Sequence, residues 1–256
     1  MRLEPRKPIS IRDAVLGGTK PLVCIPLVGK TEEEIFSEAR NVLVVKPDII
    51  ELRIDAWDFI ENVSESAAMI RSVRSIVGSM PIILTCRGDW EGGFKKVSDD
   101  AKFSIYSEAV KEDLVDFIDM ELKYGPQKIS EVLESIKGSK VSLIVSFHDF
   151  KKTPGREEII SIMSAQIEAG AHVAKLAAMP EKEEDVLDIL SATLAVRRKF
   201  PDIPLITMSM GSIGAVSRII GGLYGSDLTF AVGSKASAPG QIPVAELRKC
   251  LEVIHP

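Results

Sequence analysis

The sequence is poor in the residues that hold metal ions and form disulfide frameworks. It has three cysteines and three histidines in 256 residues, and the spacing of Cys24, Cys86 and Cys250 matches no metal-binding pattern. No HExxH motif occurs, so a dedicated zinc site is not expected. An odd number of unpatterned cysteines is typical of free thiols in a reducing compartment, and we therefore expect a cytoplasmic protein.

Long apolar runs and an excess of basic residues are missing as well. No stretch of about 18 apolar residues is present, so no membrane span is expected. The charged N-terminus MRLEPRKPIS lacks the apolar segment of a secretory signal. The net charge of −5 gives no reason to expect nucleic-acid binding. What remains is an ordinary composition for a soluble globular protein.

Eight apolar runs of strand length alternate with amphipathic segments of helical length. Strict alternation favours parallel strands joined by right-handed crossovers, and eight such units in a chain of this size fit a closed (β/α)8 barrel. We expect a single barrel domain across residues 1–256, with residues 8–19 forming a hairpin that closes its N-terminal end. The runs cover residues 21–29, 48–55, 81–88, 114–122, 140–150, 172–179, 203–210 and 228–233.

An open doubly wound sheet is the alternative fold. Such a sheet usually carries a glycine-rich phosphate-binding turn after its first strand. The corresponding turn here is VGKTEEE, which has no GxGxxG motif and begins a helix with three glutamates that would repel a pyrophosphate. The barrel is therefore the better interpretation, and no cofactor fingerprint accompanies it.

Charged residues recur on one face of these apolar strands. Alternate side chains of a strand point to opposite faces, and in DIIELRID the charged residues Glu51, Arg53 and Asp55 share one face while Ile50, Leu52 and Ile54 share the other. The apolar face suits the outer helices, so the charged face is expected to point into the barrel, near the strand ends where active sites of such barrels lie. The same test on five strands collects Glu51, Arg53, Asp55, Arg87, Asp119, Glu121, His148 and Lys175.

Lys175 lies in the middle of the apolar stretch AHVAKLAAM. A buried lysine can offer a neutral amine near pH 7, which attacks a ketone to form a Schiff base that acts as an electron sink. His148 could move the protons that such chemistry requires, and arginines suit a substrate carboxylate. The residues thus suggest proton abstraction next to a carbonyl that is held as an imine.

From the sequence pattern alone, structural roles explain several of these residues as well as catalytic roles do. Lys175 could form an internal ion pair with Glu51 or Glu121, and His148 could be a hydrogen-bonded core residue. Arg53 and Arg87 could belong to a structural ion network. Met208 and Met210 are more often core residues than ligand contacts. The glycines of MGSIGAVSR favour a tight turn into a helix over a phosphate cradle.

Six segments, taken together and in this order, resemble type I 3-dehydroquinate dehydratases, the Schiff-base enzymes of the shikimate pathway. They are ELRID (51–55), TCR with a downstream EGG (85–93), SFHDFKKTP (146–154), AKLA (174–177), ITMSMGSIGAVSR (206–218) and SAPGQ (237–241). The resemblance covers about residues 20–245. One departure is Trp90, which stands directly before Glu91 in the EGG loop and could alter its packing.

The resemblance implies the role of each residue. Lys175 would form the imine with the ring ketone, His148 would act as general base and then as general acid, and Glu91 would support His148. Ser237 and Gln241 lie in the last βα loop, residues 234–243, which the family closes over the substrate. The implied substrate contacts are Glu51, Arg53, Arg87, Arg218 for the substrate carboxylate, Ser237, Gln241, Met208, Met210 and Phe230.

The implied reaction is the syn loss of water from 3-dehydroquinate to give 3-dehydroshikimate, without cofactor or metal. The family is often homodimeric, and at this length the chain is expected to be monofunctional. Two other functions stay open: another class I Schiff-base lyase resembling an aldolase, and a non-catalytic quinate-binding sensor. An aldolase would usually need a phosphate site, and a sensor would be expected to have lost Lys175 or His148.

Overall fold

The computed structural model describes residues 2–233 and 237–255. Its main feature is a sheet of nine parallel strands in the order β11-β10-β3-β4-β5-β6-β7-β8-β9. All eight predicted strands are present, and the (β/α)8 barrel is confirmed. The strands are β1 Ile9–Ile11, β2 Ala14–Leu16, β3 Leu22–Leu27, β4 Ile49–Arg53, β5 Ile82–Thr85, β6 Phe117–Glu121, β7 Ser142–Asp149, β8 Val173–Ala178, β9 Leu205–Ser209, β10 Leu228–Val232 and β11 Ile242–Pro243.

Helices cover the outside of the barrel. The first of them shows why: Thr31 caps it by accepting a hydrogen bond from the backbone of Glu34, and its buried residues Ile35, Ala39 and Val42 recur at helical spacing on one side. The helices are α1 Glu32–Val45, α2 Val63–Val77, α3 Asp99–Lys111, α4 Gly125–Ser135, α5 Arg156–Glu168, α6 Glu183–Lys199, α7 Gly211–Ile220 and α8 Val244–Ile254. Among the described residues, none of these helices has the length and apolarity needed to cross a membrane.

The predicted hairpin is also present and lies at the N-terminal end of the barrel. β1 and β2 pair antiparallel, and their buried residues Ile11 and Leu16 pack against the apolar side chains of the barrel interior. Those interior side chains have the inward parity expected from the sequence. They include Ile49, Ile83, Phe117, Ile144, Val173, Ile206 and Leu228.

The barrel closes between β9 and β10 mainly through side chains. The backbone forms a single parallel bridge there, between Leu205 and Ser226. The carboxylate of Asp227 accepts from the backbone N–H of Leu205 at 2.7 Å, and the hydroxyl of Ser226 accepts from the N–H of Thr207 at 3.0 Å. Polar side chains therefore replace most of the ladder hydrogen bonds at this seam.

Candidate active site

A cavity opens at the C-terminal end of the strands, with an empty space of about 450 Å³. All twelve residues assigned to the site from the sequence line it, together with Gly92, Phe150, Ala177 and Ala238. Strand parity could have added Ala177, which shares the face of Lys175. The assigned residues are Glu51, Arg53, Arg87, Glu91, His148, Lys175, Met208, Met210, Arg218, Phe230, Ser237 and Gln241.

The amine of Lys175 lies within a ring of three side chains from alternate strands. Its Nζ donates to Asp119 Oδ2 at 2.7 Å and to Glu51 Oε1 at 3.1 Å, and it stands 4.9 Å from the centre of the Phe230 ring. β4, β6, β8 and β10 each contribute one of the four residues. This is a layer of the kind that fills (β/α)8 barrels, in which every second strand supplies one side chain.

The partners of Lys175 correct one expectation from the sequence. The ion pair with Glu51 is present, but Glu121 does not contact Lys175. Instead, Glu121 accepts from Arg87 at 2.8 Å and from Lys102 of α3 at 2.7 Å. Asp119 takes the place expected for Glu121. The reason is the stagger of the barrel. The hydrogen-bonding register aligns Glu121 with Lys175 across the strand between them. Side chains at the same height in the barrel, however, are displaced from that register by about one residue per strand.

Asp119 is fully buried and rigidly held. Its Oδ1 accepts from Arg87 at 2.7 Å and from the hydroxyl of Ser146 at 2.6 Å, while Oδ2 faces Lys175. Burial alone would raise the pKa of Asp119, but the positive charges of Arg87 and Lys175 outweigh burial and hold that pKa below its usual range. Asp119 is therefore ionised throughout the neutral range.

His148 and Glu91 form a pair on the cavity wall. The Glu91 carboxylate lies 3.1 Å from His148 Nδ1 and also accepts from the backbone N–H of His148 at 2.9 Å. Burial, with help from the positive charges of Arg87 and Lys175, lowers the pKa of His148 well below 6.5. The imidazole is therefore neutral at pH 7 and can accept a proton. Burial raises the pKa of Glu91 to about 7.

The turn that carries Glu91 depends on a glycine. A single 3-10 turn, Asp89–Glu91, ends at Gly92 with φ of +81°, and a Cβ atom there would come within 2.3 Å of the Phe150 ring. Trp90 lies on the outer side of this turn, against Tyr124 with ring centres 5.7 Å apart. The tryptophan noted in the sequence is thus accommodated without displacing Glu91 from His148.

Arg218 is a buried cation without an anionic partner among the residues that the structure describes. Its guanidinium donates to the carbonyl oxygens of Phe230 at 3.4 Å and Pro239 at 3.0 Å, and its Nε has no hydrogen-bond partner. Burial lowers the pKa of Arg218 to about 10, so the group is still charged at pH 7. An uncompensated buried guanidinium on a cavity wall favours an anionic ligand.

The other two arginines of the cavity are ion-paired, as the structural interpretation of the sequence predicted. Arg53 forms a two-pronged ion pair with Asp55, at 3.0 and 2.9 Å, and Arg87 joins Asp119 and Glu121. Both arginines nevertheless line the cavity. They can therefore hold the site together and still present N–H groups to a ligand.

The last βα loop reaches the cavity at Ser237 and Gln241. The Gln241 side chain donates to the Ser237 hydroxyl at 3.1 Å and accepts from the Ser237 N–H at 3.0 Å. The loop expected to close over the substrate, 234–243, begins with residues 234–236, which lie outside the described residues. His172 has a structural role outside the cavity, because its Nδ1 accepts from the Leu143 N–H at 2.9 Å. Cys24, Cys86 and Cys250 are free thiols.

The fold and this cavity define a barrel enzyme whose site centres on a buried lysine and a neutral histidine. Comparison with known proteins identifies the family. Residues 23–256 match the family model described as type I 3-dehydroquinase. The chain belongs to the type I 3-dehydroquinase family, which places it among the hydro-lyases.

Close relatives cover the chain almost completely. The 3-dehydroquinate dehydratase of Bacillus licheniformis is 39% identical over 250 residues, covering 98% of each chain. The crystal structure of 3-dehydroquinate dehydratase from Geobacillus kaustophilus superposes with a TM-score of 0.95 at 37% identity, covering 99% of this chain and 98% of that one. The type I enzyme of Clostridium difficile, solved with covalently modified comenic acid, gives a TM-score of 0.93 at 38% identity, with coverage of 97% and 98%.

Proposed function

We propose that this chain removes water from 3-dehydroquinate to give 3-dehydroshikimate, with Lys175 as the Schiff-base lysine and His148 as the general acid and base. The observation that carries the proposal is the convergence on one cavity of the Lys175 amine, the neutral imidazole of His148 and the unpaired guanidinium of Arg218. Family membership supports the reaction, and the named relatives supply the substrate.

Imine formation uses the buried amine of Lys175. The lysine ammonium loses one proton, its nitrogen adds to the ring ketone, and the resulting carbinolamine loses its hydroxyl as water to leave a protonated imine. Ala177 lies beside the lysine on the same face of β8 and lines the cavity. A small side chain at this position leaves room for the ring carbon to approach the nitrogen.

Elimination then depends on His148. In the proposed step the neutral imidazole takes the proton from the carbon next to the imine, and the electron pair is held as the enamine. The imidazolium next delivers that proton to the departing hydroxyl, which leaves as water. Glu91, 3.1 Å from Nδ1, orients the ring and stabilises the positive charge that forms on it.

The remaining cavity residues bind and orient the substrate. We assign Arg218 to the substrate carboxylate because its guanidinium lacks an anionic partner within residues 2–233 and 237–255. Glu51, Arg53 and Arg87 are assigned to the ring hydroxyls, and Ser237 and Gln241 to the loop above the ring. Met208, Met210 and Phe230 form the apolar wall.

We further propose that residues 1–256 form one catalytic domain, which functions as a homodimer in the cytoplasm without a cofactor. The single continuous sheet from β3 to β10 supports the first point. The dimer and the compartment follow from the family resemblance and the cysteine pattern. Size measurement by light scattering on the purified chain tests the dimer.

The function is tested by following the absorbance of the conjugated enone product with 3-dehydroquinate as substrate. Wild-type protein should give the absorbance rise, which neither an aldolase nor a quinate sensor would produce. His148→Ala should lose about 10²- to 10⁴-fold in turnover while still attaching substrate to Lys175. Full turnover in His148→Ala would remove this histidine from the mechanism, and no enone from the wild type would overturn the function.

A further inference from the structure

Lys175 faces two carboxylates that differ in what else they touch. Glu51 lines the cavity and is steadied by one further hydrogen bond, from the Thr85 hydroxyl at 2.9 Å. Asp119 lies beneath the lysine, is not among the residues lining the cavity, and has its second oxygen held by Arg87 and Ser146. Glu51 is therefore positioned to turn towards a ligand, whereas Asp119 is fixed on the lysine nitrogen.

The reacting nitrogen carries the same charge before and after imine formation. It begins as an ammonium and ends as a protonated imine, and the two hydrogens that the nitrogen loses leave with the ketone oxygen as water. An anion placed 2.7 Å from this nitrogen therefore stabilises both states without moving. Protonation matters for the chemistry, because only the protonated imine is a strong electron sink.

We infer that Asp119 is a catalytic residue of this site: the fixed counterion of the Lys175 nitrogen, which keeps the imine protonated during elimination. This inference rests on the proposed function. Asp119 exchanges no proton itself, and its depressed pKa fits that role because a strongly acidic carboxyl is a poor base. Proton transfer at carbon remains with His148.

Charged or titratable groups of four strands act on the Lys175 nitrogen. Glu51 of β4 and Asp119 of β6 contact the nitrogen directly. His148 of β7 and the Cys24 thiol of β3 interact with it electrostatically, but both are uncharged near pH 7, since burial lowers the pKa of the one and raises that of the other. Arg87 acts through Asp119. Asp119, at 2.7 Å, is therefore the nearest carboxylate.

The test is the pH profile of kcat for Asp119→Asn, which keeps the shape of the side chain and removes its charge. We expect kcat to fall about 100-fold or more. The alkaline limb of the profile should also move down by about one pH unit or more, because the imine loses its proton more easily. KM should change less than about threefold, since Asp119 does not line the cavity.

Glu121→Gln is the matched control. Glu121 lies on the same strand, is equally buried and shares Arg87 with Asp119, but it does not touch Lys175. Its alkaline limb should stay at the wild-type position. If Asp119→Asn does not fold, Ser146→Ala tests the inference in its place. This variant removes the hydrogen bond from Ser146 to Asp119 and should move the alkaline limb of the kcat profile in the same direction by a smaller amount.

The outcomes separate this inference from the proposed function. Suppose that the wild-type enzyme forms product but the alkaline limb of Asp119→Asn or Ser146→Ala stays at the wild-type position. The counterion role of Asp119 would then be wrong, and the proposed function would still stand. An alkaline limb that moves as far in Glu121→Gln as in Asp119→Asn would also contradict the counterion role, because removal of any buried charge would then have the same effect. A wild type that forms no product overturns both.

Discussion

Two buried ion clusters lie at opposite ends of the barrel, and they use their charges differently. The cavity cluster, at the C-terminal strand ends, consists of Lys175, Glu51, Asp119, Arg87 and Glu121. The seam cluster, at the N-terminal ends of β9 and β10, consists of Arg2, Arg197 and Asp227. Both are almost fully excluded from solvent.

The difference lies in what the charges bind. In the seam cluster, Arg197 donates to the backbone carbonyls of Ile203 and Gly225, and Asp227 accepts from the backbone of Leu205. In the cavity cluster most partners are other side chains, and three of its members line the cavity: Lys175, Glu51 and Arg87. Buried charge alone therefore does not mark a functional site. Charge held by side chains at the wall of a cavity does.

The largest expected effect comes from removing the central amine of the cavity cluster. Lys175→Ala should lower kcat on the order of 10⁴-fold or more, because no imine can form. Steady-state kinetics with 3-dehydroquinate measure this loss. Residual turnover within tenfold of wild type would show that the cavity cluster, like the seam cluster, is only structural.

The seam cluster should show the opposite behaviour. Asp227→Asn leaves two buried guanidinium groups without their anion, and we expect a loss of about 3–5 kcal/mol in the free energy of unfolding, measured by urea denaturation. The protein that remains folded should keep wild-type kcat and KM. A selective loss of kcat in folded protein would contradict the division between the two clusters.

The Glu91 carboxyl should make stability depend on pH. Its folded-state pKa of about 7 lies above the ordinary value of 4.5, so the folded state holds this proton more tightly than the unfolded chain does. The resulting stabilisation is complete below about pH 4.5 and is lost as the pH rises to 7. Glu91→Gln stays neutral and should become more stable relative to wild type across this range, by about 3 kcal/mol.

Urea denaturation of both proteins between pH 4.5 and 8 measures this difference. The gap should widen up to about pH 7 and stay constant above it. Asp89→Asn, which changes an exposed carboxyl in the same turn, serves as the control and should show no such trend. A constant gap between wild type and Glu91→Gln would show that Glu91 is not protonated in the neutral range.

The smallest expected effect compares one arginine from each end of the barrel. Arg218→Met should cost about 1.5–3 kcal/mol of transition-state binding, or about 10- to 150-fold in kcat/KM, because the substrate carboxylate loses its charged partner. The same change should raise stability, since it removes a buried charge for which the described part of the chain offers no anion. Arg197→Met, which removes one of the two cations paired with the buried Asp227, should lower stability.

Kinetics and urea denaturation on the two variants test this contrast. Opposite signs of the stability change are the expected result. Destabilisation of similar size in both variants would mean that Arg218 is a structural residue of the same kind as Arg197, and the assignment of the substrate carboxylate would fall.

Strand periodicity predicted most of the fold and much of the site. Buried parallel strands read as continuous apolar runs, so the runs stand out, and a charged residue on such a run is conspicuous. The parity rule placed Lys175, His148 and Glu51 on the inward face of the barrel. The face of each residue follows from the sequence because the period of a strand is two.

What parity cannot supply is the level of a residue in the barrel. Asp119 and Glu121 share one face of β6, two positions apart, and only the stagger between strands decides that Asp119 meets Lys175. Glu91 lies outside the strands, on a turn whose path depends on Gly92 and Phe150. The seam cluster joins residues 2 and 227, for which no local pattern exists.

We propose that the cavity cluster holds a reactive amine and not merely a buried charge. The most direct measurement is peptide mass analysis after borohydride reduction in the presence of 3-dehydroquinate. Lys102, equally buried and ion-paired to Glu121 at 2.7 Å, is the internal control. We expect a mass increase on the peptide containing Lys175 and none on the peptide containing Lys102. An unmodified Lys175 peptide would contradict it.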